Sequence, residues 1–173
     1  MIVGFDPIIA EEPRVMILGS MPSVTSLERR QYYGYRHNRF WPILSACFSM
    51  PIDTYEQKKE IILRHHLVLW DVIHACEREG SLDSRIHAEV VNPIDALTEE
   101  YPLIHTVICN GKKSETLYQR HFAHLPLKQI YLPSTSNANR TIKEEALFAC
   151  WIDTLQSVLE QSNDTKRKGN RGK

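Results

Sequence analysis

The chain has 173 residues, which is long enough for one domain with a sizeable core but too short for us to expect a second domain. Hydrophobic residues make up 42% of it and charged residues 24%, and no apolar run approaches the roughly 20 residues of a membrane-spanning helix. Five of the 21 basic residues lie in the last eight positions, which leaves 16 basic against 21 acidic residues elsewhere, so any nucleic-acid binding must depend on local clusters of charge.

Apolar runs alternate with amphipathic stretches along the chain. In chain order, we predict a strand at 14–19, helices at 39–49 and 54–66, a strand at 67–71, a charged loop up to about 91, a helix at 92–102, a strand at 105–110, a helix at 111–122, a strand at 129–133 and a helix at 140–161. The strands are apolar throughout, which indicates a parallel sheet covered on both faces. We therefore predict an α/β fold, a three-layer α/β/α sandwich with a central four-stranded parallel sheet.

This sandwich is expected to form a single domain over residues 1–162, followed by a basic, disordered tail at 163–173. The four cysteines form no CxxC pair and have no His at a zinc-finger spacing, so we expect buried free thiols and no bound metal. The first residues lack a basic start followed by an apolar stretch and a cleavage site. We therefore expect a cytoplasmic protein.

Polar, small-residue-rich loops follow all four predicted strands. They read GSMPS (19–23), WDVIHACEREGSLDS (70–84), CNG (109–111) and LPSTSNAN (132–139). Gly, Ser, Asn and Pro also serve as turn and cap residues, so any one loop has this simpler explanation. In parallel sheets, however, ligands bind outside the carboxyl ends of the strands. Four such loops together predict a binding site at that edge.

A fifth segment, YYGYRHNRFWP (32–42), crowds aromatic rings and hydrogen-bond donors around one Gly. A core needs rings without a donor beside each, and an exposed loop gains little from aromatic side chains. The combination suits a flat, hydrogen-bonding ligand attached to a phosphate.

These motifs, in this order and at these separations over residues 14–139, resemble the hypoxanthine (deoxyinosine) DNA glycosylase branch of the uracil-DNA glycosylase superfamily. The resemblance implies a monofunctional base excision repair enzyme that flips a deaminated base out of DNA and hydrolyses its N-glycosidic bond. It implies no metal and no cofactor. We expect a monomer whose partner is DNA containing a deaminated base.

Base binding is expected from residues of GSMPS, YYGYRHNRFWP and WDVIHACEREGSLDS. Tyr33 and Phe40 are candidate stacking surfaces, although Phe40 could equally face the core as Trp41 is expected to do. The resemblance adds Gly19 and Ser20. Asp71 ends the second strand, where the superfamily commonly carries a base-reading Asn, and it could accept a hydrogen bond from N1–H of hypoxanthine or simply cap the next segment.

Cleavage builds negative charge on the departing base and needs a placed water. Relatives in the uracil and mismatch-specific branches position that water with a carboxylate or Asn in the first motif, where this sequence has Met21. A thioether cannot do so. Following the branch that the chain resembles, the role passes to Asn38, whose simpler explanation is to cap the next helix.

The last loop supplies the phosphate contacts. Ser134, Thr135 and Ser136, with their backbone amides, are expected to bind phosphates beside the flipped nucleotide, and Arg140 to add a charge. A glycosylase for uracil or an alkylated purine remains an alternative. So does a non-catalytic nucleotide- or nucleic-acid-binding α/β module, although the P-loop and dinucleotide fingerprints are both absent.

Overall fold

The computed structural model describes the backbone of residues 1–171 and the side chains of residues 1–161. The strands, in chain order, are β1 Ile2–Val3, β2 Ile8–Ile9, β3 Val15–Gly19, β4 Leu67–Asp71, β5 Ile73–Glu77, β6 His87–Val91, β7 Thr106–Asn110 and β8 Lys128–Leu132. The α-helices are α1 Val24–Arg29, α2 Phe40–Phe48, α3 Tyr55–Arg64, α4 Ile94–Glu100, α5 Lys112–Phe122 and α6 Glu144–Arg171.

Four parallel strands form the centre of the fold, as the sequence predicts, and they lie in the order β4-β3-β7-β8. All residues of β3, β4 and β7 are buried, because helices cover both faces of these strands. The predicted sheet lacks one strand. The two-residue strand β2 pairs antiparallel with the outer edge of β4, and two half-buried residues are too short a run to be recognised in the sequence.

Two hydrophobic clusters lie on opposite faces of the sheet and confirm the three layers. On one face, Ile17 and its neighbours pack against α2, α3 and α6, with Trp151 of α6 fully buried among them. On the other face, Leu18 packs among residues of α4 and α5. The alternation of adjacent β3 residues between the two clusters is the period-2 geometry of a strand buried on both sides.

The charged segment that follows β4 is not the predicted loop. It contains β5, a 3₁₀ turn at Asp83–Arg85 and β6, and these strands join β1 in a small antiparallel sheet. Only part of β5 is buried and none of β6 is, so neither forms the apolar run that marks a strand in sequence. This hairpin matters because it carries Asp83 to the carboxyl edge of the main sheet.

The predicted basic tail, 163–173, lies outside the residues whose side chains are described, so that prediction stays a prediction. Within the described part of the chain, no helix combines the length and the apolar character that crossing a membrane would require.

Candidate active site

A cavity of about 940 Å³ opens at the carboxyl edge of the central sheet. This size is typical of ligand-binding clefts. Eight of the ten residues predicted to form the site line it: Gly19, Ser20, Tyr33, Asn38, Asp71, Ser134, Thr135 and Ser136. The two exceptions are Phe40, which is buried behind the cavity wall, and Arg140, which lines a neighbouring surface depression.

The side chain of Asn38 is held in one orientation by two donors. Its Oδ1 accepts a hydrogen bond from the backbone N–H of Phe40, the first residue of α2, at 2.9 Å, and another from Thr135 Oγ1 at 2.9 Å. Because both donors must face an oxygen, the amide nitrogen Nδ2 is fixed on the other side. Asn38 therefore helps to cap α2 through its oxygen and still presents an N–H₂ donor to the cavity that it lines.

Asn110, at the end of β7, connects Asn38 with the rest of the site. Its Nδ2 donates to Tyr33 Oη at 3.1 Å and to Thr135 Oγ1 at 3.0 Å, while its Oδ1 accepts from Thr135 N at 3.1 Å. Sequence reasoning quoted CNG as a strand-end motif but gave Asn110 no role. A polar residue ending an otherwise apolar buried strand, followed by a Gly with φ of 92°, was the available signal.

Thr135 is therefore not the phosphate ligand that the sequence suggested. It is fully buried, and its backbone amide and hydroxyl are both used within the protein, by Asn110 and Asn38. We reassign it as a residue that positions Asn38. The backbone amide of Ser136 is also engaged, by Ser134 Oγ at 3.2 Å. The hydroxyl protons of Ser134 and Ser136, both in partly exposed residues, remain suited to phosphate oxygens.

Arg39 fastens this loop to the start of α2, a role that sequence reasoning did not assign. Its guanidinium donates to the carbonyl oxygens of Thr135 at 3.3 Å, Ser136 at 2.6 Å and Asn139 at 3.3 Å. Its backbone N–H adds a bond to Thr135 O at 3.0 Å. The segment that carries Asn38 and the loop that carries Ser134 are therefore one connected unit.

The aromatic pair behaves differently from the prediction. Tyr33 lines the cavity and stacks on Phe40 at 4.1 Å between ring centroids. Phe40 is completely buried, so its ring is not available to a base, and we correct its role to supporting Tyr33. Tyr33 sits at φ 51°, an uncommon conformation for a bulky residue, which turns its ring toward the site. Trp41 is buried, in agreement with its expected place in the core.

Asp71 and Gly19 lie side by side at the ends of paired strands. The close approach explains the glycine: a Cβ at position 19 would overlap Asp71 Oδ1 and lie 2.9 Å from Tyr33 Oη.

Ser20 does not face the cavity with a free hydroxyl, because its Oγ donates to Asp83 Oδ1 at 2.7 Å. Burial raises the pKa of Tyr33, with the nearby Asp71 carboxyl adding to the effect, so the ring remains a neutral phenol.

A model of the family described as "Uracil DNA glycosylase superfamily" matches residues 5–156, which include every strand of the main sheet and every residue of the site. The chain belongs to the uracil DNA glycosylase superfamily.

Individual members of the superfamily are similar over most of the chain. A hypoxanthine DNA glycosylase of Methanosarcina barkeri is 35% identical over 139 residues, which cover 79% of this chain and 87% of that protein. One of Methanosarcina acetivorans is 34% identical over the same shares. A solution NMR structure from Methanosarcina acetivorans, titled as a uracil DNA glycosylase, superposes with a TM-score of 0.79 at 31% identity, covering 90% of this chain and 97% of that one.

Within this superfamily fold, the cavity is lined by amides and hydroxyls, by the carboxyl groups of Asp71 and Asp83, and by Lys112 and Lys113 at the start of α5. Among the described residues, no group of three or more His, Cys, Asp and Glu side chains is arranged to hold a metal ion. Asn38 and the loop of Ser134 lie near the end of β8, at one side of the four parallel strands, and they supply amide and hydroxyl donors. Asp71 ends β4, at the other side. The side with Asn38 and Ser134 is suited to stabilising negative charge on a ligand, including a phosphate. The side with Asp71 is suited to hydrogen bonding with the edge of a base.

Proposed function

We propose that the chain is a monofunctional hypoxanthine DNA glycosylase that works as a monomer in the cytoplasm in base excision repair. It would flip a deaminated base, most readily hypoxanthine, out of DNA and hydrolyse its N-glycosidic bond without a metal or a cofactor. The names of the two Methanosarcina relatives support the choice of base.

The observation that carries the proposal is the fixed orientation of Asn38. With Oδ1 bound to Phe40 N and Thr135 Oγ1, the group that faces the cavity is a donor. As the glycosidic bond breaks, negative charge collects on the purine, and a preorganised N–H₂ can donate to a ring nitrogen of that anion or to the attacking water. Such a donor needs no reorganisation during the reaction, because two hydrogen bonds to Oδ1 already hold the side chain.

The remaining residues divide the other tasks. Tyr33, backed by Phe40, presents a ring on which a flipped base can stack. Asp71 reads the polar edge of the base. Ser134 and Ser136 contact phosphates beside the flipped nucleotide, and Arg140, exposed next to the cavity, adds a positive charge to that surface.

The first test is a panel of labelled duplexes containing inosine, uracil, xanthine or ethenoadenine, incubated with the protein and then treated with alkali to break abasic sites. We expect the inosine duplex to be cleaved fastest, and EDTA to leave the rate unchanged. Release of uracil without release of hypoxanthine would assign a different substrate, as would preference for ethenoadenine. Tight binding without cleavage of any duplex would favour a non-catalytic module.

A second test concerns the phosphate loop. We expect Ser134→Ala to weaken binding of inosine DNA and of undamaged DNA by a similar factor, because contacts to phosphate position the protein without reading sequence. Equilibrium binding at several salt concentrations measures this. Ser157→Ala is the matched control, since Ser157 is exposed on α6 and does not line the cavity. A change in base preference with affinity retained would instead place Ser134 against the base.

A further inference from the structure

The carboxyl group of Asp71 is a buried polar group that the protein leaves without a full set of partners. The residue is 5% exposed, and its Oδ2 is buried with no hydrogen bond from any described residue. No Lys, Arg or His nitrogen in the described side chains lies within 4 Å of it as an ion-pair partner. An ionised carboxylate in such a position is strongly disfavoured, whereas a neutral acid or a ligand would relieve the cost.

The groups around Asp71 reinforce this tendency. Asp83, brought in by the 3₁₀ turn, adds a second negative charge, while Arg78 after β5 opposes it and Tyr33 contributes a neutral phenol. Burial first, and the charge of Asp83 second, raise the pKa of Asp71 to about 7, against the partial compensation by Arg78. The side chain therefore carries a proton over the acidic half of the physiological range.

Other polar side chains near the same strand ends are already committed. Asn110 uses its oxygen on Thr135 N and its nitrogen on Tyr33 and Thr135. Asn92 donates to the backbone oxygens of Asp71 and Ile73 at 2.7 and 3.2 Å. Among the described side chains near Asp71, the buried polar atoms left without a hydrogen-bond partner are the donors Nε and Nη1 of Arg78 and, on the acceptor side, Asp71 Oδ2.

We propose that Asp71 reads the flipped base as a neutral carboxylic acid, with its hydroxyl donating to the carbonyl oxygen of the base and its other oxygen accepting the adjacent ring N–H. The proposal rests on the proposed function and deepens it. Hypoxanthine presents O6 and N1–H side by side, which is one acceptor next to one donor. A protonated carboxyl offers the complementary donor and acceptor, and a carboxamide does the same, whereas a carboxylate would set a second negative oxygen against O6.

The test is the pH profile of single-turnover hypoxanthine release. For the wild-type protein we expect a plateau at acidic pH and a fall of about tenfold per pH unit above about pH 7, where Asp71 loses its proton. For Asp71→Asn, whose amide cannot ionise, we expect a rate within tenfold of the wild-type plateau and no fall between pH 6.5 and 8. The N1–H of the base ionises only at more alkaline pH and affects both proteins alike.

Asp83→Asn gives an independent check. Asp83 raises the pKa of Asp71, so its removal should make ionisation of Asp71 easier and move the midpoint of the pH profile to lower pH than in the wild type. A midpoint that stays in place would show that a group other than Asp71 titrates.

A third readout needs no DNA. The raised pKa means that the folded state binds more protons than the unfolded state between about pH 4 and pH 7, so Asp71 lowers the stability of the protein as the pH rises through that window. Asp71→Asn removes this loss. We expect its melting temperature to exceed that of the wild type by several degrees more at pH 8 than at pH 5. An equal difference at both pH values would contradict a neutral Asp71.

The outcomes separate this inference from the proposed function. If the wild-type protein releases no hypoxanthine at any pH, the proposed function fails, whatever the melting temperatures show. If it releases hypoxanthine with a flat profile from pH 6 to 8.5, or if Asp71→Asn is folded and inactive, or shares the wild-type fall, then the function stands and the neutral acid is wrong.

Discussion

Replacing Asn38 by Ala is expected to lower single-turnover release of hypoxanthine by at least about 100-fold, while binding of inosine DNA survives. Loss of one preorganised polar group at a developing charge typically has an effect of this size. The variant loses the only donor that the Asn38 side chain directs at the cavity. It also loses the oxygen that caps α2, so a fall in stability of roughly 0.5 to 2 kcal/mol is expected in addition.

Two further variants separate the cap from the chemistry. Asn38→Ser and Asn38→Asp both retain an oxygen acceptor that caps a helix about as well as Asn, but neither offers the N–H₂ donor. Single-turnover rates and thermal melts of all three variants decide the matter. If Asn38→Ser melts like the wild type and releases hypoxanthine at nearly the full rate, Asn38 is a cap alone, and its catalytic role must be abandoned.

Gly19→Ala is expected to have a comparable effect on the rate for a steric reason. The added Cβ would overlap Asp71 Oδ1 and crowd Tyr33 Oη. Asp71 is buried, and Tyr33 is held by a hydrogen bond from Asn110 and by stacking on Phe40, so both side chains have little freedom to retreat. Overpacking of this kind typically destabilises by about 1–3 kcal/mol. Because the displaced groups are the carboxyl that we propose to read the base and the ring on which we propose it stacks, we expect hypoxanthine release to fall by about 100-fold or more.

Gly4→Ala is the matched control for this substitution. A Cβ at position 4 would meet its nearest neighbours at 3.4 to 3.6 Å, which is ordinary van der Waals contact, and Gly4 does not line the cavity. Its rate and melting temperature should stay close to those of the wild type. Wild-type activity in Gly19→Ala would mean that Asp71 and Tyr33 can move aside without consequence, and neither could then be a precise reader of the base.

The sequence predicts the central sheet well because its strands are buried on both faces. An uninterrupted apolar run such as Leu67–Asp71 gives both the strand and its burial, and the polar residue at its end gives the edge where the site lies. The hairpin of β5 and β6 could not be predicted in this way. Its side chains alternate irregularly between buried and exposed, its register shifts twice, and its partner β1 is only two residues long.

The same contrast applies to the site. Position at the strand ends selected the loops that line the cavity, because parallel strands bring their ends together, whereas Tyr33 and Asn38 came from the aromatic segment at 32–42 and the family resemblance. Their partners were not predictable. That Thr135 turns inward to Asn38, that Phe40 lies behind Tyr33, and that Asp83 returns to Ser20 are properties of side-chain packing between segments far apart in sequence.

The three carbonyl bonds of Arg39 have a thermodynamic consequence. They tie the residue next to Asn38 to the loop that we propose contacts the DNA backbone, so a shift of that loop on binding would also move the Asn38 amide. A coupling of this kind is reciprocal. If phosphate binding by the loop favours the aligned position of Asn38 by some free energy, alignment of Asn38 strengthens phosphate binding by the same free energy. We therefore expect loop substitutions to alter DNA affinity and turnover together. An undamaged duplex that binds the loop weakly would also leave the Asn38 amide misaligned.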